Sequence, residues 1–348
     1  MIDLRSDTTT RPTEEMVAAV AKALADPRLA DVQQEEDPAL SALEQKAATV
    51  TGKEEAIFMP SGTMGNLAAV FAHRKGGVEI IVDSHSHIGR SEHGGMSAAA
   101  SMHSIRVPSR KGEMDLDILR KAIQAGLKRE GMPPSLICLE TSHNHSGGYV
   151  PGIAHMAAVK TLAQDAGIPV HFDGARIFNA AAFLGLPVSE VAAYCDTLSF
   201  CVSKGLSAPY GALLAGDKAF IARARTFRGM LGGAMRQIGG MAAAALVALE
   251  TMPARLHEDH RRLRTLWAKI REFAPALVAE DEPQTNIMFL RPKKETGLTW
   301  QKALEKHGVR ASVMAERKVR LVTHRHITDE DIDGAAKAIA AVYAELGE

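Results

Sequence analysis

Six short apolar runs recur between residues 56 and 216: AIFM (56–59), EIIV (79–82), SLICLE (135–140), PVHFD (169–173), LSFCVS (198–203) and GALLAG (211–216). Runs this short match strands covered on both faces better than buried helices. Helical patterns over 117–129 and 153–166 fill gaps between them. The alternation predicts a mainly parallel sheet with helices laid across it, an α/β fold. GALLAG follows LSFCVS too closely for a helical crossover, so that pair is expected to be antiparallel.

The texture changes after Pro253. ARLHEDHRRLRTLWAKIREF reads as a long charged amphipathic helix. NIMFLRP (286–292), a helix near 299–307, VRLVTH (319–324) and a closing helix over 328–346 follow. The expected organisation is an N-terminal segment (1–30) docking on the large domain or a partner subunit, a large domain (31–252) and a smaller C-terminal α+β domain (253–348).

Charge narrows the function classes. Lys+Arg and Asp+Glu are 41 each, which leaves no basic excess to hold a nucleic-acid backbone. The opening MIDLRSDTTTRP lacks the apolar core of a signal peptide, and no apolar run is long enough to span a membrane. Cys138, Cys195 and Cys201 are odd in number, lie in or beside apolar runs and lack metal spacing. A reduced, cytoplasmic protein is the expectation.

Two residues carry the chemistry. Asp173 ends a buried-type strand, and strand C-terminal ends form the ligand crevice of parallel sheets. By itself it reads equally as a helix-capping acid. Lys204 follows 31 residues later, at the end of another candidate strand and among small residues. One βαβ unit spans that distance, which places both side chains on the same edge of the sheet. A nucleophilic lysine beside a buried acid is the pair that pyridoxal 5'-phosphate needs. The lysine bonds the cofactor covalently, and the acid keeps the pyridine nitrogen protonated.

Other stretches could complete such a site. In FMPSGTMGN, Ser61, Gly62 and Thr63 sit between a strand and a helix pattern, where backbone N–H groups bind phosphate. The stretch is neither a Walker A loop nor G-x-G-x-x-G. In VDSHSHIGRSEHGG, His85 and His87 are expected to share a face of a strand end, and an imidazole there can stack on a ring. Arg176 and Arg320 offer the bidentate fork that an amino acid's carboxylate fits.

Together these residues resemble the threonine aldolase family, within the aspartate-aminotransferase-like (fold type I) pyridoxal phosphate enzymes. DLRSDTTTRP, PSGTMGN, HIGRSEHGG, HFDGARIFNA, SKGLSAPYGALLAG, GGAMRQIGG and VRLVTH come in the family's order. The resemblance implies that Lys204 bonds the cofactor, Asp173 partners the pyridine nitrogen, and His87 stacks on the ring and acts as base. It implies Gly62 and Thr63 at the phosphate, Arg236 and Arg176 near the cofactor, and Ser6, Arg176 and Arg320 on the substrate carboxylate. The implied reaction is retro-aldol cleavage of an L-β-hydroxy-α-amino acid to glycine and an aldehyde. The implied assembly is a homo-oligomer, usually a dimer of dimers, with sites completed across subunits.

The chain departs from the family pattern along the substrate wall. Gln34 and Glu35 stand where a tyrosine and a glycine are usual, Thr141 replaces an asparagine, and Gly229 replaces a lysine. Glu130 falls nearest the place of a histidine that helps hold the substrate hydroxyl. These changes lead us to expect weak cleavage of threonine, and Glu35 and Glu130 favour a polar or cationic β-substituent. Two other enzyme readings remain: β-elimination or racemisation with the same cofactor, and a metal hydrolase using His85, His87, His143, His145, Glu92 and Glu140. A pyridoxal-binding regulator would need a DNA-binding module, and none is evident.

Overall fold

The computed structural model describes residues 1–348 except 27, 29–36, 75, 76, 129–132 and 348. Gln34, Glu35 and Glu130 therefore lie outside the described residues. A seven-stranded sheet forms the centre. Its strands are β1 (Glu55–Met59), β2 (Glu79–Asp83), β3 (His103–Val107), β4 (Leu136–Glu140), β5 (Val170–Asp173), β6 (Thr197–Cys201) and β7 (Ala212–Gly216). Their spatial order is β1-β7-β6-β5-β4-β2-β3. All neighbours run parallel except β7, which is antiparallel to both β1 and β6. Every residue of β4, β6 and β7 is buried, as strands covered on both faces require.

The antiparallel β7 matches its short connection. The loop before it turns back sharply at Gly211, whose φ is 93° and where a Cβ would fall 2.4 Å from the Phe58 ring. Only glycine meets both conditions without strain. Edge strand β3 was not expected. Its sequence, HSIRV, is mostly exposed or half-buried, so it carries no continuous apolar run.

The second core lies between the helices Leu256–Phe273 and Asp329–Glu345 and a three-stranded antiparallel sheet of β8 (Ile287–Leu290), β9 (Ser312–Ala315) and β10 (Lys318–Val322). The N-terminal segment docks in two places. Ile2–Asp3 pairs in parallel with Val309–Arg310, and Leu4 is buried in the small-domain core. The helix Glu14–Leu24 then packs on Gly239–Thr251 of the large domain. The first ten residues thus run between the two domains, beside the C-terminal edge of the large sheet.

Candidate active site

Strand register builds the rim. Asp173 pairs with Glu140 and with Ser199, so β4, β5 and β6 present their C-terminal ends together. Lys204 follows β6 in a compact turn. Its carbonyl accepts from Ser207 N and from the Thr10 hydroxyl, both at 2.9 Å, and Ala208 N donates back to Val202 O. Asp173 and Lys204 line one cavity of about 330 Å³, with Gly62, Thr63, His87 and Tyr210 among its other walls. The Asp173 carboxylate is 2% exposed, and its Oδ2 is buried without a hydrogen-bond partner. A buried carboxylate oxygen without a hydrogen bond is costly, so it implies a donor delivered by something that enters the cavity.

His87 does not share a strand face with His85. β2 stops at Asp83, and His87 opens a short helix, His87–Arg90. His87 N donates to Glu140 Oε2 at 2.7 Å. Its Nδ1 lies 3.1 Å from Glu92 Oε1 and 3.9 Å from Asp173 Oδ2. With Glu92 ionised, Nδ1 donates to it, and a neutral imidazole then keeps its lone pair on Nε2. The Glu92 hydrogen bond raises the imidazole above its ordinary value, against the effect of burial. Burial in turn raises the Glu92 carboxyl.

Behind Glu92 runs a buried polar chain. Asn66 donates to Glu92 at 2.8 Å, while its carbonyl oxygen accepts from the Ser199 hydroxyl and lies 3.3 Å from His171 Nε2. His171 Nδ1 and His73 Nε2 both reach Thr197 Oγ1. Full burial holds the His171 imidazole down at about 3, so it stays neutral. Asn66, Ser199 and His171 were not expected in the site. Asn66 does lie inside the PSGTMGN stretch, four residues after Gly62 and so one helical turn below it.

The two arginines differ. Arg176 gives Nε and Nη2 to Asp7, both at 2.7 Å, and the pair is almost fully buried. Asp7 also accepts from Asn286 at 3.2 Å. Arg176 is thus paired before any substrate arrives. Arg320 makes only neutral contacts, to Asn144 Oδ1 and Arg5 O at 3.0 Å, and its buried Nε has no partner. Burial, with Arg176 adding to it, pushes its guanidinium down to about 10. Ser6 follows Arg5 directly and caps the turn Asp7–Thr9, accepting from Thr8 N at 3.2 Å. Of the two, Arg320 is thus the one without a charged partner, and it bonds the carbonyl of Arg5, the residue before Ser6. Arg176 organises Asp7.

Gly62 opens the helix Gly62–His73, and Ser61 caps it by accepting from Met64 N. A Cβ on Gly62 would lie 2.8 Å from Cys201 Sγ, so a side chain here would crowd the floor of the cavity. Arg236 is exposed, on the segment between helices Lys218–Met230 and Gly239–Thr251, and does not line its own chain's cavity. Gly229 is exposed with open space beyond its Cα, so the loss of a lysine there is not steric. Thr141 is buried with an unpartnered hydroxyl. The residues of the metal reading separate into three groups. His87 and Glu92 join Asp173, His143 sits against Asp83 and Glu140, and His85 stacks on His145.

The model of the beta-eliminating lyase family matches residues 3–293. The chain belongs to this family. Low-specificity L-threonine aldolase 1 of Arabidopsis thaliana is 37% identical to it, over 95% of this chain and 93% of that protein. The low specificity L-threonine aldolase of Escherichia coli K12 is 35% identical, over 95% and 96%. In fold, a threonine aldolase from Leishmania major superimposes with a TM-score of 0.84 at 15% identity, covering 98% of this chain and 99% of that one. The expected fold type I architecture stands. Pyridoxal phosphate fits the residues present. Asp173 Oδ2 lacks a donor, Lys204 shares its cavity, and the Gly62 helix start offers N–H groups without a side chain in the way.

Proposed function

We propose that this chain is a pyridoxal-phosphate-dependent aldolase that cleaves Cα–Cβ of an L-β-hydroxy-α-amino acid, giving glycine and an aldehyde. The observation that carries the reading is the buried, unpartnered Asp173 Oδ2 in the same cavity as Lys204. When bound, pyridoxal phosphate supplies the sink for the electrons of the broken bond. The protein does the rest. Lys204 would hold the cofactor through its amine. Asp173 keeps the ring nitrogen protonated. Gly62 and Thr63 would offer backbone N–H groups to the cofactor's phosphate, and His87 would form a wall beside its ring. Arg320 and Ser6 fix the substrate carboxylate, while Asp7 holds Arg176 in place. That anchoring selects the Cα–Cβ bond for cleavage. His87 Nε2 takes the β-hydroxyl proton, the bond's electron pair stays with Cα, and a proton returned to Cα completes glycine.

We infer a homo-oligomer, at least a dimer and by resemblance a dimer of dimers. Arg236 is exposed away from its own cavity, and Tyr210 at the cavity mouth and Met230 are 54% and 60% exposed. A second copy that covers them and brings Arg236 to the phosphate accounts for all three. A cytoplasmic location fits the three free, buried cysteines. Among the described residues no helix is long and apolar enough to cross a membrane.

Product analysis tests the reaction. The cofactor-loaded protein is incubated with L-threonine, L-allo-threonine and a β-aryl serine. Glycine and aldehyde in equal amounts are expected. A keto acid with ammonia would establish β-elimination instead, and inversion without cleavage would establish racemisation.

A further inference from the structure

Beyond Arg320 the positive charge continues. Lys318 lies two residues earlier on the same face of β10. Its Nζ donates to His145 O at 2.7 Å and stands 3.9 Å above the Phe289 ring. His145 stacks on His85, with centroids 5.1 Å apart and planes 13° apart. Burial, then Lys318 and Arg90, press the His145 imidazole down to about 4. Burial, then Arg291 and Arg90, press the Lys318 amine down to about 8. Among the described residues, Arg90, Arg291, Lys318 and Arg320 form no ion pair with a carboxylate. Asp7, the acid that acts on Arg320 among the described residues, is already bound to Arg176. Lys318 and Arg320 are half-buried, and a half-buried cation without counter-charge is costly, whereas Arg90 and Arg291 are exposed. One α-carboxylate on Arg320 leaves the half-buried Lys318 amine, with the exposed Arg90 acting on it, unanswered.

We infer that the substrate brings a second anion: its β-substituent ends in a carboxylate, received by Lys318 and Arg90 beside the His85–His145 pair. The inference rests on the aldolase reading and names the substrate class of that site. It reverses the preference expected from Glu35 and Glu130. For the shortest such substrate, β-hydroxyaspartate, Cα–Cβ breaks, the β-hydroxyl proton leaves to the base, and Cα gains a proton. The products are glycine and glyoxylate, with no oxidant or second reactant.

Binding tests this apart from turnover. L-aspartate and L-2-aminobutyrate have equal chain length, lack the β-hydroxyl and are not cleaved by this route. Calorimetric titration of the cofactor-loaded protein should give aspartate the lower Kd by about tenfold or more, the gain expected for one charge-assisted contact. Lys318→Met should remove most of that preference, and Lys318→Arg should keep it. Aminobutyrate should change less than about twofold in both variants, which shows that the site remains folded. Equal affinities in the wild type, or equal weakening of both ligands by Lys318→Met, would overturn the inference. Turnover separates the two readings. If threonine yields glycine and β-hydroxyaspartate does not, the acidic substrate class falls and the aldolase stands. If neither is cleaved while aspartate still binds preferentially, the aldolase reading falls and the anion site stands.

Discussion

In the proposed mechanism Glu92 sets the proton position on His87, because an acceptor at Nδ1 leaves Nε2 to act as base. Glu92→Gln removes the negative charge that raises the imidazole. The acidic limb of the kcat/KM profile should then move to lower pH. We expect kcat to fall about tenfold with KM nearly constant, within the usual range for a positioned acid or base. An unmoved profile would show that Glu92 merely fills space. Asp173→Asn should retain cofactor, seen as absorbance in the visible, and lose about a hundredfold in turnover, since a neutral amide cannot keep the ring nitrogen protonated. Near wild-type turnover would contradict its role. That Asp173 and Lys204 share one cavity was legible in the sequence, because each ends an apolar run and their separation matches one crossover. The Arg176–Asp7 pair was not, since its members are 169 residues apart and only the folded chain joins them. The parting of His85 from His87 was also hidden, because β2 ends two residues before the first of them.

Element boundaries followed the apolar pattern closely. The expected helices at 117–129 and 153–166 appear as Leu116–Leu127 and Ile153–Asp165, and the antiparallel return of β7 follows from its short loop. β3 and β9 escaped notice because exposed or half-buried strands at sheet edges carry little apolar signal. β5 bears a testable liability. His171 is neutral in the folded protein down to about 3, whereas in the unfolded chain it takes a proton near the ordinary 6.5. As pH falls through that window the unfolded state binds the proton first. The stability conferred by the buried neutral ring is therefore complete above about 6.5 and declines below it, by about 1.4 kcal/mol per pH unit for one group. Thermal unfolding at about pH 7 and about pH 5 should show a clear drop in Tm, with a smaller drop in His171→Gln. Equal drops in both proteins would remove His171 as a cause.

At the scale of the molecule, the site lies where the large sheet's C-terminal edge meets the small domain's three-stranded sheet, with the first ten residues between them. Asp7, Arg176, Asn286 and Arg320 come from three parts of the chain and converge there. The change of texture after Pro253 coincides with the start of the second buried cluster, built mostly from residues after it. The pairing of Ile2–Asp3 with the small domain was not legible in the sequence, because a two-residue strand has no periodicity. Sedimentation should give at least a dimer, and Arg236→Ala should weaken cofactor retention by about tenfold, as loss of one charged contact to phosphate implies. A fully active monomer would contradict the shared site. The central claim is that Lys204, beside Asp173, is the reactive amine. Borohydride reduction of the cofactor-loaded protein, followed by peptide mapping, tests it most directly. A single reduced pyridoxyl adduct on the peptide containing Lys204, absent from Lys204→Ala, is the expected result. An adduct on any other lysine of the wild-type protein would contradict it.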